Sequence, residues 1–412
     1  RTNTTGSNNV AVGQKALFAN TTASFNTAVG YAALTANTTG AGNTTVGYLT
    51  GEDLTTGSSN TFMGNQTGKN TTTTSSNSAF GSAALQTNTT GANNTAIGAD
   101  ALRNNTTASE NVAVGSSAGR GGTTSTGNTD VGYRAGYSTT TGYQNTRLGI
   151  DAGYGNTTAY NNVHIGINSG YGNTTGAENV TMGLLAGRYM ASSNYNTFLG
   201  SRAGYQATSS ENVCIGAYTG VSFTSSYHNT IIGYNAQTNH PSNGHTENVI
   251  GHGVTGIGSG YNTLGGNANR SYNQQGSASW AGTSDERLKT DVVNEPLGLS
   301  FINDLRPVKF KWKKKKDVDS STFPTIYEEG SEERVQPTEH GVDKHGFLAQ
   351  ELESTIANYA DAGDAGHEIF KQTTDGIYTA SPTALIPMLV KALQEADDKI
   401  DALTTRIEAL EG

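Results

Sequence analysis

The sequence predicts an all-β solenoid, a β-roll of 17-residue repeats shared between several chains. A small α/β domain follows and ends in a long coiled-coil helix. Three observations predict this. Asn recurs every 17 residues over the first 235 positions, charge and composition change abruptly at Ser284, and an apolar heptad closes the chain.

The repeat comes first. Asn9, Asn26 and Asn43 open a series that runs in steps of 17 to Asn196 and, after one deletion, continues at Asn212 and Asn229. Gly follows each Asn by four residues, and the residue before that Gly is apolar, as in Val12, Met63, Phe80, Ile97, Leu148 and Ile232. Seven after the Asn stands a small residue, Ala in most copies (Ala16, Ala33, Ala84, Ala101, Ala118, Ala135). A fixed period near 20 is the signature of a solenoid with one supersecondary unit per turn.

Each unit carries one short strand in which positions +1 and +3 share a face. Gly at +4 ends the strand, and equivalent Asn residues stack at the inter-strand spacing, where their amides satisfy one another. Fourteen coils at ~4.8 Å make a rod of roughly 65 Å. So few apolar side chains per coil bury little surface alone. Several chains are therefore expected to pool their inner faces, with the small residue at +7 letting backbones approach.

Charge separates two regions. Residues 1–283 hold 10 Lys+Arg against 9 Asp+Glu, whereas residues 284–412 hold 15 against 25. A nearly uncharged rod lacks the basic face that nucleic acid needs. No stretch is long and apolar enough to cross a membrane. Cys214 is the only cysteine, so no intrachain disulfide forms. The chain opens at Arg1 in mid-repeat and without Met, and is read as a fragment whose anchoring N-terminal part precedes it.

The domains are expected at 1–235 (shaft), 236–283 (neck or linker), 284–383 (core of the small domain) and 384–412 (helix). The glycines at 256–260 lack a following Lys-Ser/Thr, so the neck is not read as a phosphate site. His240, His245 and His252 lack ligand spacing on one element. No metal or cofactor is expected.

Sixteen of the 19 Tyr lie before Ser284, and Tyr137, Tyr154, Tyr171 and Tyr205 each stand nine after a repeat Asn. They form a file that suits sugar rings, although the same rings could simply cover their own coil. Glycoside cleavage wants two carboxylates facing one bond. Glu110, Glu178, Glu211 and Glu247 are instead spread over different coils, which counts against a polysaccharide depolymerase.

At the seam stands Ser284-Asp285-Glu286-Arg287-Leu288-Lys289. Serine attacks a peptide carbonyl only when a base takes its proton, and lysine serves when burial or a cationic neighbour lowers its pKa. Five residues apart, the two do not share a helical face and would meet through a turn or across a subunit contact. From the hexapeptide alone, an exposed serine in a charged segment is the better reading. Further on, Pro307–Lys313 alternates as a half-exposed strand. Residues 313–316 read as a solvated lysine turn, and residues 322–338 as an insertion or loop. Ile386, Leu393, Ile400 and Ile407 take one heptad position, and Leu389, Ala396, Leu403 and Leu410 the other.

Two resemblances extend these readings. Residues ~7–235, with Asn9-Val10-Ala11-Val12-Gly13 and Asn94-Thr95-Ala96-Ile97-Gly98, resemble the head repeats of trimeric autotransporter adhesins and similar repeats of phage tail fibres, which implies a homotrimeric β-roll. The seam hexapeptide, with Gly346-Phe347-Leu348-Ala349-Gln350-Glu351 and the closing helix from Ala384, resembles the C-terminal intramolecular chaperone of phage endosialidases, tailspikes and tail fibres.

That second resemblance implies a domain that helps three chains fold and then cuts the Thr283–Ser284 bond once. Ser284 would be the nucleophile and Lys289 its base, with Asp285 and Arg287 either supporting the site or shaping the turn. It implies a virion tail fibre that joins the tail or baseplate through its missing N-terminal part and meets a host surface glycan or receptor. A bacterial trimeric surface adhesin is the alternative, but the alternating strands of a membrane-anchor barrel are not seen after Ser284. Ile with Leu in the heptad favours two strands, whereas the resemblance implies three.

Overall fold

The structure is a computed structural model of residues 1–412. It describes residues 3–222, 224, 226–239, 246–266, 269–275, 277, 281–282, 292, 294–323, 326–335, 343–359, 369–372 and 378–411. The chain divides into two compact units, Arg1–Ser284 and Asp285–Gly412.

The first unit is a parallel β-solenoid. Three-residue strands run from β1 (Val10–Val12) to β14 (Thr230–Ile232), and each pairs in parallel with its successor. The register is one repeat, Val10 opposite Thr27 and Val163 opposite Val180. The ladder continues beyond residue 235. β15 (Asn248–Ile250) pairs in parallel with β14, and β16 (Tyr261–Gly265) with β15, before β17 (Arg270–Gln274) and β18 (Ala281–Gly282) reverse direction.

The recurrent Asn is the spine. The backbone N–H of Asn26 donates to Oδ1 of Asn9 at 2.9 Å, while Asn9 Nδ2 donates to the Ala23 carbonyl at 2.8 Å. The same N–H to Oδ1 bond recurs as far as Asn229, which bonds Asn212, and Glu247 closes the series on Asn229 Oδ1. The amide oxygen takes the next coil's N–H while the amide nitrogen donates to a backbone carbonyl, so one side chain serves both ends of the step. Gly at +4 has φ of +136° at Gly30, where a Cβ would collide with the Gly47 carbonyl of the next coil.

The inner face differs from expectation. The residue that points inward is +2, not the apolar +3: Ala28, Phe62, Arg147, His164 and Phe198 are all buried, whereas Val12 is 56 % and Leu148 46 % exposed. The small residue at +7 also lies inside its own coil, as at Ala33, Ala101 and Ala135. The reason is pleat parity, since a three-residue strand that turns its middle side chain inward sends +1 and +3 outward together.

Core volume is shared between +2 and +8. Most coils with Ala at +2 have Leu at +8 (Ala28 with Leu34, Ala79 with Leu85, Ala96 with Leu102); Ala113 stands instead with Gly119, beside which Leu102 and Asp130 of the neighbouring coils crowd in. Where +2 is large, +8 is Gly (Phe62 with Gly68, Arg147 with Gly153, His164 with Gly170, Phe198 with Gly204). A Cβ at Gly68 would press into the Phe62 ring at 2.6 Å. In these coils a large residue at one position is matched by a small one at the other, which keeps the interior filled.

The second unit is small. Helix α1 (Leu299–Asp304) precedes β19 (Val308–Phe310), which pairs antiparallel with β20 (Lys344–Gly346). Helix α2 (Ala349–Ile356), the pair β21 (Phe370–Gln372) and β22 (Tyr378–Ala380), a 3-10 turn at Pro382–Leu385 and helix α3 (Ile386–Glu411) complete it. Leu297, Phe301, Leu352, Ile356, Ile369, Leu385 and Met388 form its core.

Candidate functional sites

In the second unit, the stretch Gly346–Glu351 makes the junction between strand and helix. Gly346 ends β20, Phe347 packs against the core, and Ala349, Leu352 and Ile356 bury one stripe of α2. Glu351 reaches Arg306, whose Nε donates to Oε2 at 2.9 Å, and the pair holds the Glu351 carboxyl below its ordinary range. Glu351 therefore ties α2 to the chain beyond α1.

The closing helix caps another. Glu395 Oε2 accepts the Leu299 N–H at 2.8 Å, one of the donors that the start of α1 leaves free. That bond lowers the Glu395 carboxyl, and Lys391 and Lys399 add to the effect. Met388 and Ala392 of the same helix are buried, while Leu393, Ile400, Leu403 and Ile407 of the heptad stand exposed.

The lysine turn is neutralised rather than bare. Lys315 bonds Glu328 and Glu333, both at 2.9 Å, Lys314 and Lys316 share Glu332, and Lys309 and Lys311 hold Asp343. Exposed pairs of this kind contribute about 0–1 kcal/mol each, so they shape the loop more than they stabilise it. Thr283, Ser284, Asp285, Arg287 and Lys289 lie outside the described residues, as do His240 and His245.

In the shaft, Tyr137, Tyr154 and Tyr171 form the expected file. Their rings stack face to face, with centroids 5.1 and 5.0 Å apart and planes within 5°. Tyr205 does not join the stack, because Arg188 occupies the intervening coil and Tyr205 meets Tyr189 edge-on. The file continues below as Arg120, whose Nη1 donates to the Tyr137 hydroxyl at 2.6 Å. Arg134 lies over Tyr154 and is held by Asp151 through two bonds of 2.8 and 2.7 Å. The ring faces between Tyr137 and Tyr171 are thus spent on one another. The arginines interleaved with the tyrosines were not anticipated, although the 17-residue period would have placed Arg120 and Arg188 in the same file.

The coil core holds a polar run at +2. Arg147 bonds Asp130 through Nε at 2.5 Å and Nη2 at 3.2 Å, and Thr139 through Nη1 at 2.7 Å. His164 Nδ1 meets Thr181 Oγ1 at 2.7 Å, and its Nε2 meets Asn173 at 3.4 Å. Burial, and then the Arg147 charge, lower the His164 imidazole to about 3. Burial pushes the Asp130 carboxyl up against the pull of Arg147, and pushes the Cys214 thiol up as well. These groups are sealed from solvent and structural.

Comparison with known families assigns the C-terminal unit. A peptidase family described as the chaperone of endosialidase matches residues 284–363. The chain thus carries a chaperone-of-endosialidase domain behind its β-solenoid, and that domain gives the C-terminal part a chaperone role. No curated protein and no solved structure matches the chain.

Proposed function

We propose that this chain is a phage tail fibre, a host-recognition rod whose C-terminal domain aligns three chains and then releases itself. The observation that carries the reading is a coincidence of boundaries. The family match begins at Ser284, and the second compact unit begins one residue later, at Asp285.

Trimerisation is supported by two exposed apolar surfaces. The +3 residues, among them Val12, Met63, Ile97, Leu148, Met182 and Ile250, make an outward stripe along the shaft. A contiguous stripe of that extent marks an interface. The heptad seam of α3 is likewise exposed, and coiled-coil packing would bury it. The outward stripe repeats with little change from coil to coil and so sets no register for three chains, whereas a folded C-terminal domain can supply one.

Cleavage follows from serine chemistry. Lys289 takes the Ser284 hydroxyl proton, Oγ attacks the Thr283 carbonyl carbon, and the Thr283–Ser284 C–N bond breaks as the Ser284 nitrogen takes up a proton. The resulting ester between the Thr283 carbonyl and Ser284 Oγ is opened by water. The products are a carboxylate at Thr283 and a free amine and hydroxyl on Ser284. The protein is its own substrate, so each chain reacts once. Intact-mass measurement of the expressed chain, wild type against Ser284→Ala and Lys289→Ala, tests the reading.

A further inference from the structure

We propose that the arginine–tyrosine corner of the shaft, from Arg120 to Arg202, binds an anionic polysaccharide through its acidic groups. The proposal rests on the reading of the shaft as a recognition rod and names the chemistry of what it recognises.

The stacking described above leaves the rings between Tyr137 and Tyr171 no free face for a neutral sugar. What that corner turns outward is hydroxyl and guanidinium. Arg188 lies 5.6 Å from the Tyr171 centroid, and Arg202 lies 5.5 Å from that of Tyr218. Among the described residues, Arg120, Arg188 and Arg202 have no carboxylate partner, whereas Arg134 spends its charge on Asp151. The Nε atoms of Arg120 and Arg188 are buried and make no hydrogen bond. Those atoms are sealed within the file, so an arriving anion would meet the outer guanidinium nitrogens.

Three uncompensated guanidinium groups therefore stand on a shaft that is otherwise almost neutral. Four coils separate Arg120 from Arg188, about 19 Å at the usual strand spacing. A chain of uronic or similarly acidic sugars can present carboxylates over such a distance. A nucleic acid needs a denser basic face than three arginines give.

The test uses the full-length assembled protein and polygalacturonate as the probe, with dextran and a DNA oligonucleotide beside it. Polygalacturonate should bind, with an affinity that falls as salt rises. The triple variant Arg120→Gln, Arg188→Gln, Arg202→Gln should lose roughly tenfold or more. Equal binding of dextran, salt-independent binding, or an unchanged triple variant would overturn the proposal. Preference for DNA would overturn it too, by assigning the corner to phosphates. If the triple variant does not fold, the salt titration of the wild type decides. A wild-type rod that binds polygalacturonate yet adsorbs to no bacterial surface would sink the recognition reading and leave this corner's chemistry standing.

Discussion

Arg147 and Asp130 sit in adjacent coils and form an ion pair sealed inside the solenoid, with Nε 2.5 Å from Oδ1 and the Arg147 side chain fully buried. Every other described coil fills this inner position with a neutral side chain, from Ala28 through Phe62 to Cys214. The pair joins two particular coils of a repeat that is otherwise nearly interchangeable.

Removing one partner should cost more than removing both. Arg147→Met leaves a buried carboxylate alone and should destabilise the shaft by about 3–5 kcal/mol. Adding Asp130→Leu should recover most of that loss. Urea midpoints of the two variants check it, and equal midpoints would contradict it.

Acid should weaken the same region. The unfolded His164 titrates near 6.5, and the buried one at about 3. Between those values the unfolded chain binds a proton that the folded coil refuses. Its contribution to stability is therefore intact above pH 6.5 and is lost progressively as pH falls toward 3. His164→Phe places in this coil the side chain that Phe62 and Phe198 place in theirs, also opposite Gly. The variant should show a shallower fall in thermal midpoint between pH 6.5 and 3 than the wild type.

Core volume offers a rescue experiment. Phe62→Ala should cost about 3–5 kcal/mol through the cavity it opens. Adding Gly68→Leu recreates the Ala–Leu arrangement of Ala79 and Leu85 and should restore most of the loss. Gly68→Leu alone should be worse than either, because its Cβ meets the Phe62 ring. Differential scanning of the three variants reads the order.

The cap on α1 is open to a smaller test. Glu395→Ala removes the acceptor for the Leu299 N–H and should cost about 1 kcal/mol. Glu395→Gln keeps an acceptor and should cost less. Far-UV circular dichroism during thermal unfolding of the full chain separates the two.

Much of this was legible in the sequence, for identifiable reasons. A ladder in which each Asn serves the next coil tolerates no substitution that lacks both donor and acceptor, so Asn9 to Asn229 shows the period openly. The inward position was hidden because compensation at +8 lets it vary among Ala, Phe, Arg and His. The steady apolar residue at +3 looked like core and faces outward instead. The left-handed corners at +6 were invisible too, since residues as unlike as Lys15, Asp100 and Arg134 adopt φ near +60° there. Ser284 and Lys289 were legible as chemistry only through a family resemblance, because a hexapeptide carries no geometry. The stacked tyrosines followed from the period, but their use of one another's faces did not.

The central claim is most directly tested by the intact mass of the expressed protein. Wild type should give two fragments that part between Thr283 and Ser284, the C-terminal one beginning with Ser284. Ser284→Ala and Lys289→Ala should remain whole. A wild-type chain that stays intact while assembling into stable trimers would contradict self-cleavage.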